Sequence, residues 1–276
     1  FHLALSRITY ESGSLFLRSL PQVENLGWGE LFLDKEFLFH QLTRIGFALG
    51  GDKGVVEASF LCSILSLVVF YLFASSRIPV LPAALVTAGV FSSPYLAFRL
   101  SLLRPHTLAV LAFILFQIAI LSRRPRLTAL AAFIFTLSYH AFYIPLAGMF
   151  FLFCLSFLEE RIESLQWRRI ALHGAFGCFA GILVNPYFPG NVVLAVIHAR
   201  IPSLMQKELS GLNFGEELLP VRADHLLQIF HGPLLVILLG TFLLGFQMRQ
   251  SDQKRSFSLP FGYLLSAAIF FQTLCR

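Results

Sequence analysis

Residues 55–75 read V-V-E-A-S-F-L-C-S-I-L-S-L-V-V-F-Y-L-F-A-S, 21 positions with one charged side chain, Glu57. A helix of that length rises about 30 Å, the thickness of the hydrocarbon core of a bilayer, and it satisfies its backbone polar groups internally where no water is present. The rest of the chain has the same character. Of 276 residues, 57% are hydrophobic and 13% charged, 31 are Phe, and the mean hydropathy is +0.74. Soluble domains carry about 25% charged residues, so this composition calls for lipid as a solvent.

Working outward, further apolar runs occupy residues 82–98, 105–122, 127–138, 142–158, 170–184, 233–248 and 259–274. The expected fold is therefore all-α and polytopic, with about eight membrane segments, several of them shorter than the roughly 20 residues of a straight crossing. Residues 127–157 are too long for one ordinary span and contain Tyr139, His140 and Pro145, so two short helices with a break are expected there. With no internal repeat, Gly/Ser linker or low-complexity tract, the chain reads as one membrane domain. Within it, 1–54 is a polar outer loop, 55–184 a set of membrane helices, 185–231 a second outer loop and 232–276 a last set of helices.

Charge placement sets the orientation, because short cytoplasmic loops collect Lys and Arg. If 55–75 runs inward, the cytoplasmic connections hold ten basic residues against four acidic ones, and the opposite face, without Arg276, holds ten basic and eleven acidic. This fits a multi-pass protein of an inner, plasma-type membrane surrounded by membrane lipids. The net charge of +6 is distributed between apolar runs and forms no basic stripe with interleaved aromatics, which excludes a nucleic-acid partner. Cys62, Cys154, Cys178 and Cys275 lie in or beside apolar segments with no metal-ligand spacing and read as packed thiols. The chain opens on Phe1 without the basic-then-apolar order of a signal peptide, and we expect a fragment of a longer protein.

Polar residues that such a chain keeps near the membrane are candidates for chemistry. In L-F-L-D-K-E-F-L-F-H-Q-L-T-R-I-G, residues 31–46, Leu38, Leu42, Ile45 and Leu49 recur at helical spacing, with Glu36, His40, Thr43 and Arg44 opposite. An interfacial helix with Asp34 as N-cap and a solvated polar face accounts for this pattern. Equally, Asp34 and Glu36 would lie over the membrane opening, where a carboxylate takes a proton from a hydroxyl or holds a divalent metal, the one cofactor this reading leaves open. In R-L-S-L-L-R-P-H-T, residues 99–107, Pro105 suits a helix start whose N–H groups, with Arg104 and His106, would hold a phosphate. Arg99 is expected only to meet lipid headgroups. Tyr139 and His140 interrupt an apolar run, where a polar ring needs a partner or a cavity. N-P-Y-F-P-G-N, residues 185–191, reads as a turn, and Arg222, Asp224 and His225 as a solvated loop. Walker, dinucleotide, H-E-x-x-H and G-x-S-x-G signatures are absent.

Phe1-His2, the L-D-K-E-F-L-F-H helix, R-P-H at residues 104–106 and N-P-Y at 185–187 together resemble the GT-C superfamily of polytopic glycosyltransferases. The resemblance implies a polyprenyl-phosphate-linked sugar donor as partner and transfer of the sugar to an acceptor on the outer face. It implies a catalytic or metal-binding acid in the first outer loop, here Asp34 and secondarily Glu36, and a further acid shortly before an aromatic-His pair, which falls upstream of Phe1. His2, His40, Arg104, His106 and His140 become substrate-binding candidates. Two other classes compete: a transporter or lipid flippase with Tyr139 and His140 lining a path, and a non-catalytic membrane scaffold.

Overall fold

The computed structural model describes residues 1–21, 31–158 and 161–205, and the regular elements of these residues are all helical. They are α1 (His2–Glu11), α2 (Phe37–Ser75), α3 (Val80–Phe91), α4 (Pro94–Ser101), α5 (His106–Leu121), α6 (Pro125–Ser138), α7 (Tyr143–Leu155), α8 (Arg161–Val184) and α9 (Gly190–Met205). A 3-10 turn, Ser156–Leu158, ends α7. The apolar runs expected at 233–248 and 259–274, the loop residues Arg222, Asp224 and His225, and Cys275 lie outside the described residues.

The outer-loop helix and the first membrane segment are one element, α2, broken at Gly50 and Gly51. Gly51 has φ 59°, where a side chain would collide with its own backbone. The corner it makes is so tight that a Cβ on Gly54 would overlap the carbonyl of Gly46. Residues 82–98, expected as one span, are two helices. Pro94 opens α4 and holds Ser93 extended at ψ 117°, so α3 stops at Phe91. The break expected within 127–157 falls at Tyr139, which is extended at φ −149° and ψ 137°. Pro145 sits in the first turn of α7, where its missing N–H removes nothing the helix uses. α8 begins nine residues before the expected 170, and α9 enters the stretch expected as a second outer loop.

Among the described residues, α2 is the one helix long and apolar enough to cross a membrane unaided, with a mean hydropathy of 2.2 in its most apolar window. α3, α5, α6 and α7 are apolar but have 12, 16, 14 and 13 residues. Even α5 rises only about 24 Å.

The main core lies among α5 to α8, where Phe113, Phe116, Ile120, Phe135, Met149, Leu152, Trp167 and Ile170 are buried together. Small residues bring α8 close to α6. A Cβ on Gly177 would overlap the Ala129 carbonyl, and one on Gly181 would come within 2.8 Å of Thr136 Cβ. Two glycines four positions apart on one helix face are how apolar helices approach backbone to backbone where hydrophobic burial alone gives no drive. Hydroxyls link the remaining helices: Ser59 Oγ lies 3.1 Å from Thr107 Oγ1 between α2 and α5, and Ser63 Oγ donates to the Leu100 carbonyl at 2.7 Å. Outward faces are markedly apolar, with Phe60, Leu61 and Ile64 on α2, Leu81 and Leu85 on α3, Phe150 on α7, and Phe176 and Phe179 on α8 all exposed.

Candidate functional site

The segment before α2 places the acids. The Asp34 carboxylate accepts the Glu36 N–H at 2.9 Å, an Asx-type turn that leads the chain into the helix. Helix α2 is capped at Glu36, without a side-chain cap, and not at Asp34. Six residues on, in the first turn of α2, His40 Nδ1 donates to both Asp34 oxygens at 2.8 Å. Helix α1 packs across this first arm: Ser6 Oγ donates to Thr43 Oγ1 at 2.7 Å, and the His2 ring lies nearly parallel to that of His40, with His2 Nδ1 2.9 Å from His40 Nε2.

The polar face of the arm, expected to be solvated, is buried. Phe39, His40 and Thr43 are buried, while Ile45 is 58% and Leu49 84% exposed. The polar face packs inward against α1, and the apolar side at Ile45 and Leu49 points away from the protein.

Asp34 and Glu36 are each 6% exposed and His40 2%. The space beside Asp34 and His40, lined by Leu5, Thr9, Phe16, Phe32 and Tyr187, has no room for a water molecule. Tyr187 closes it because its hydroxyl is fixed to Leu17, donating to the carbonyl at 2.9 Å and accepting the N–H at 3.1 Å. Burial, and then the negative charge of Asp34, push its phenol up. Asn185 shapes this closure by accepting the Tyr187 N–H at 3.0 Å, so N-P-Y is a turn that supplies one wall of the site.

Glu36 turns the other way. Its Oε1 lies 3.4 Å from His140 Nδ1 and 3.7 Å from Lys35 Nζ, both ion-pair distances. Burial opposes its charge, but His140, Lys35 and His40 prevail and hold the carboxyl at about 2. For His40, burial likewise opposes charge, and the Asp34 carboxylate followed by Glu36 raises the imidazole above its ordinary 6.5. Burial and the neighbouring charge of His40 lower His2 to about 4. The pair His2 and His40 thus has its charge concentrated on His40, beside Asp34.

From Glu36 a second polar series leads into the helices. The His140 ring lies 4.4 Å from that of Tyr139, whose hydroxyl is 3.2 Å from His106 Nε2. Arg99 Nη1 donates to the same nitrogen at 3.3 Å. Arg99 is 5% exposed, so it is not the lipid-facing arginine expected from its position. It lies in α4, and the turn from Leu102 to Pro105 carries the chain back so that Arg99 and His106 meet. The R-L-S-L-L-R-P-H stretch contained this pair, but on one continuous helix residues seven apart stand about 10 Å from each other along the axis. Arg104 precedes α5 as expected and accepts the Thr107 hydroxyl at its carbonyl, at 3.0 Å.

The structure therefore assembles His2, Asp34, Glu36, His40 and His140 at one place, with His106 linked to it through Tyr139 and with Arg99 added. For a cation, the fitting set is His2, Glu36 and His40, whose ligand atoms all lie within 4.8 Å of one another. Comparison with models of known protein families, with curated proteins and with solved structures gave no match to this chain.

Proposed function

We propose that this chain is part of a multi-pass inner-membrane glycosyltransferase that moves a sugar from a polyprenyl-phosphate-linked donor to a hydroxyl acceptor at the outer face. The observation that carries the reading is the joining of a carboxylate-imidazole cluster to an arginine-histidine-tyrosine cluster at the edge of a body whose outward faces are apolar. Exposed Phe and Leu on four helices are unfavourable in water and favourable in acyl chains, which supports the membrane setting beyond the single long span.

In this reaction the acceptor oxygen attacks the anomeric carbon, the bond from that carbon to the phosphate oxygen breaks, and the electron pair leaves with the polyprenyl phosphate. The enclosure of Asp34 makes it a positioning residue that acts through His40. Glu36, held ionised, is the group we assign to accept the hydroxyl proton. Arg99, Arg104 and His106 are assigned to the departing phosphate, whose growing charge fixed donors stabilise in a water-poor site. A general base of this kind contributes about 100- to 10,000-fold. Glu36→Gln, assayed in membranes with a polyprenyl-phosphate sugar donor, is expected to lose transfer by that factor while donor still binds. Full transfer by the variant would overturn the assignment, and movement of the donor across the bilayer without transfer would replace it with a flippase.

A further inference from the structure

We propose that His2 Nδ1, His40 Nε2 and the Glu36 carboxylate form a site for one zinc-class divalent cation, with Asp34 fixing the ring of His40 from behind. The inference concerns the same place as the glycosyl-transfer reading and rests on it only for location, since cation binding needs no sugar.

The donor atoms come from α1 and from the start of α2 with its cap, and lie within 4.8 Å of one another. His40 is prepared as a ligand by its other nitrogen. With Nδ1–H committed to Asp34 at 2.8 Å, the neutral ring presents the Nε2 lone pair toward His2. A carboxylate behind a metal-binding imidazole is the recurrent means of fixing its tautomer and raising its basicity. His2 Nδ1 faces that lone pair at 2.9 Å. In the absence of a cation a proton must lie between the two nitrogens. A cation replaces it by turning both lone pairs inward, with His2 carrying its remaining proton on Nε2.

Bonds of 2.0 to 2.1 Å at a tetrahedral angle separate two nitrogens by about 3.3 Å. The rings therefore need to part by only a few tenths of an ångström. Helix α1 can supply this, because His2 is its first residue and is partly exposed. Glu36 brings the anionic ligand, and His140 at 3.4 Å from its Oε1 is placed to hold the carboxylate in position.

Two imidazoles and one carboxylate favour zinc and its neighbours, which take nitrogen ligands, over magnesium and calcium, which take oxygen. Three protein ligands also leave one coordination position open. The side behind Asp34 is closed by Tyr187 and Phe32.

The test uses the full chain in detergent, stripped with a chelator and titrated with zinc against a chromophoric competitor. One zinc per chain is expected, undisturbed by millimolar magnesium. His2→Gln and His40→Gln should each weaken binding about 100-fold or more, and Asp34→Asn about 10- to 100-fold through the ring it orients. His173→Gln, in an exposed ring on α8 that donates to the Arg169 carbonyl, should leave binding unchanged. X-ray absorption of the zinc-loaded chain should show two imidazole nitrogens. Zinc binding that survives in the His2→Gln/His40→Gln double variant, absence of stoichiometric zinc in the wild type, or a shell of oxygen alone would each overturn the proposal. If His40→Gln loses its helical circular dichroism, His2→Gln decides, because the partly exposed His2 ring is not needed to fill the core. Zinc bound without sugar transfer would refute the transfer reading alone, and transfer by a chain that binds no zinc would refute this one alone.

Discussion

Replacing Asp34 by Asn changes the shape of the site by almost nothing and its proton arrangement completely. In the wild type the carboxylate accepts from His40 Nδ1 at 2.8 Å and from the Glu36 N–H at 2.9 Å. An asparagine oxygen can keep the Glu36 N–H and so preserve the turn, which leaves its NH2 group against the His40 N–H. Two donors cannot face each other in a closed space, so one of two outcomes follows. If His40 keeps its charge, a buried cation loses its partner, at about 3–5 kcal/mol. If it surrenders the charge, Nδ1 accepts from the amide and the proton sits on Nε2. The loss is then the difference between a charged hydrogen bond of about 1.5–3 kcal/mol and a neutral one of about 1. The second route costs about 0.5–2 kcal/mol and prevails. His40 in the wild type titrates above its ordinary 6.5, so the stability it contributes is fully present below about pH 6.5 and is lost as pH rises through the folded value. Asp34→Asn removes that contribution, and the gap in thermal midpoint between the two proteins should be widest below about pH 6.5 and narrow as the pH rises above it. Nitrogen-15 spectra of labelled histidine should show His40 carrying protons on both nitrogens in the wild type and on Nε2 alone in Asp34→Asn. Midpoints that run parallel across this range, or unchanged protonation of His40, would refute the reasoning.

Three further outcomes follow from the same geometry. Gly177→Val should destabilise the α6 to α8 contact by about 1–3 kcal/mol or more, read as a lowered thermal midpoint, because its Cβ overlaps the Ala129 carbonyl, which cannot turn aside. Gly51→Ala should cost about 1–2 kcal/mol from its φ of 59°, whereas the adjacent Gly50→Ala, also with open space around it, should cost less, so the difference in midpoint between the two isolates backbone conformation from packing. His2 is lowered to about 4, so the neutral ring stabilises the fold fully above pH 6.5 and loses this as pH falls toward 4. The displacement is worth at most about 3 kcal/mol, less for the partly exposed ring, and His2→Gln should flatten that acid limb of the stability profile.

Periodicity located the first arm of α2 and its apolar side but left its polar side in water, and the reason is physical. The spacing of apolar residues tells which side of a helix is apolar, and it says nothing of whether water or protein meets the polar side. In this arm His40 has Asp34 and His2 for partners, and Thr43 has Ser6, so the polar side packs against protein. Ile45 and Leu49 are left facing outward. Asp34 and Glu36 were legible as a pair because they begin a helix. Their division of labour was not, because it depends on Tyr187 and Phe32 closing one side and His140 approaching the other. Arg99 reads from sequence as lipid-facing for a related reason. An isolated arginine between apolar runs fits a lipid-facing position, and its pairing with His106 needs the turn before Pro105, which lies outside any helical period.

The breaks in the apolar helices are what make the site. Neighbouring residues on a continuous helix diverge by about 100°, and an uninterrupted helix through residues 138–142 would carry Tyr139 and His140 to different sides with no control over either partner. The extended backbone at Tyr139 releases both: the tyrosine hydroxyl reaches His106, and the histidine reaches Glu36. The break at Gly50 and Gly51 does the corresponding work outside, turning the first arm of α2 back so that its polar face and α1 lie together over the ends of the helices. A helix that meets lipid must satisfy its backbone internally, so a break among apolar helices, such as the one at Tyr139, needs protein or water around it. Glu36, His140, Tyr139, His106 and Arg99 gather at that break.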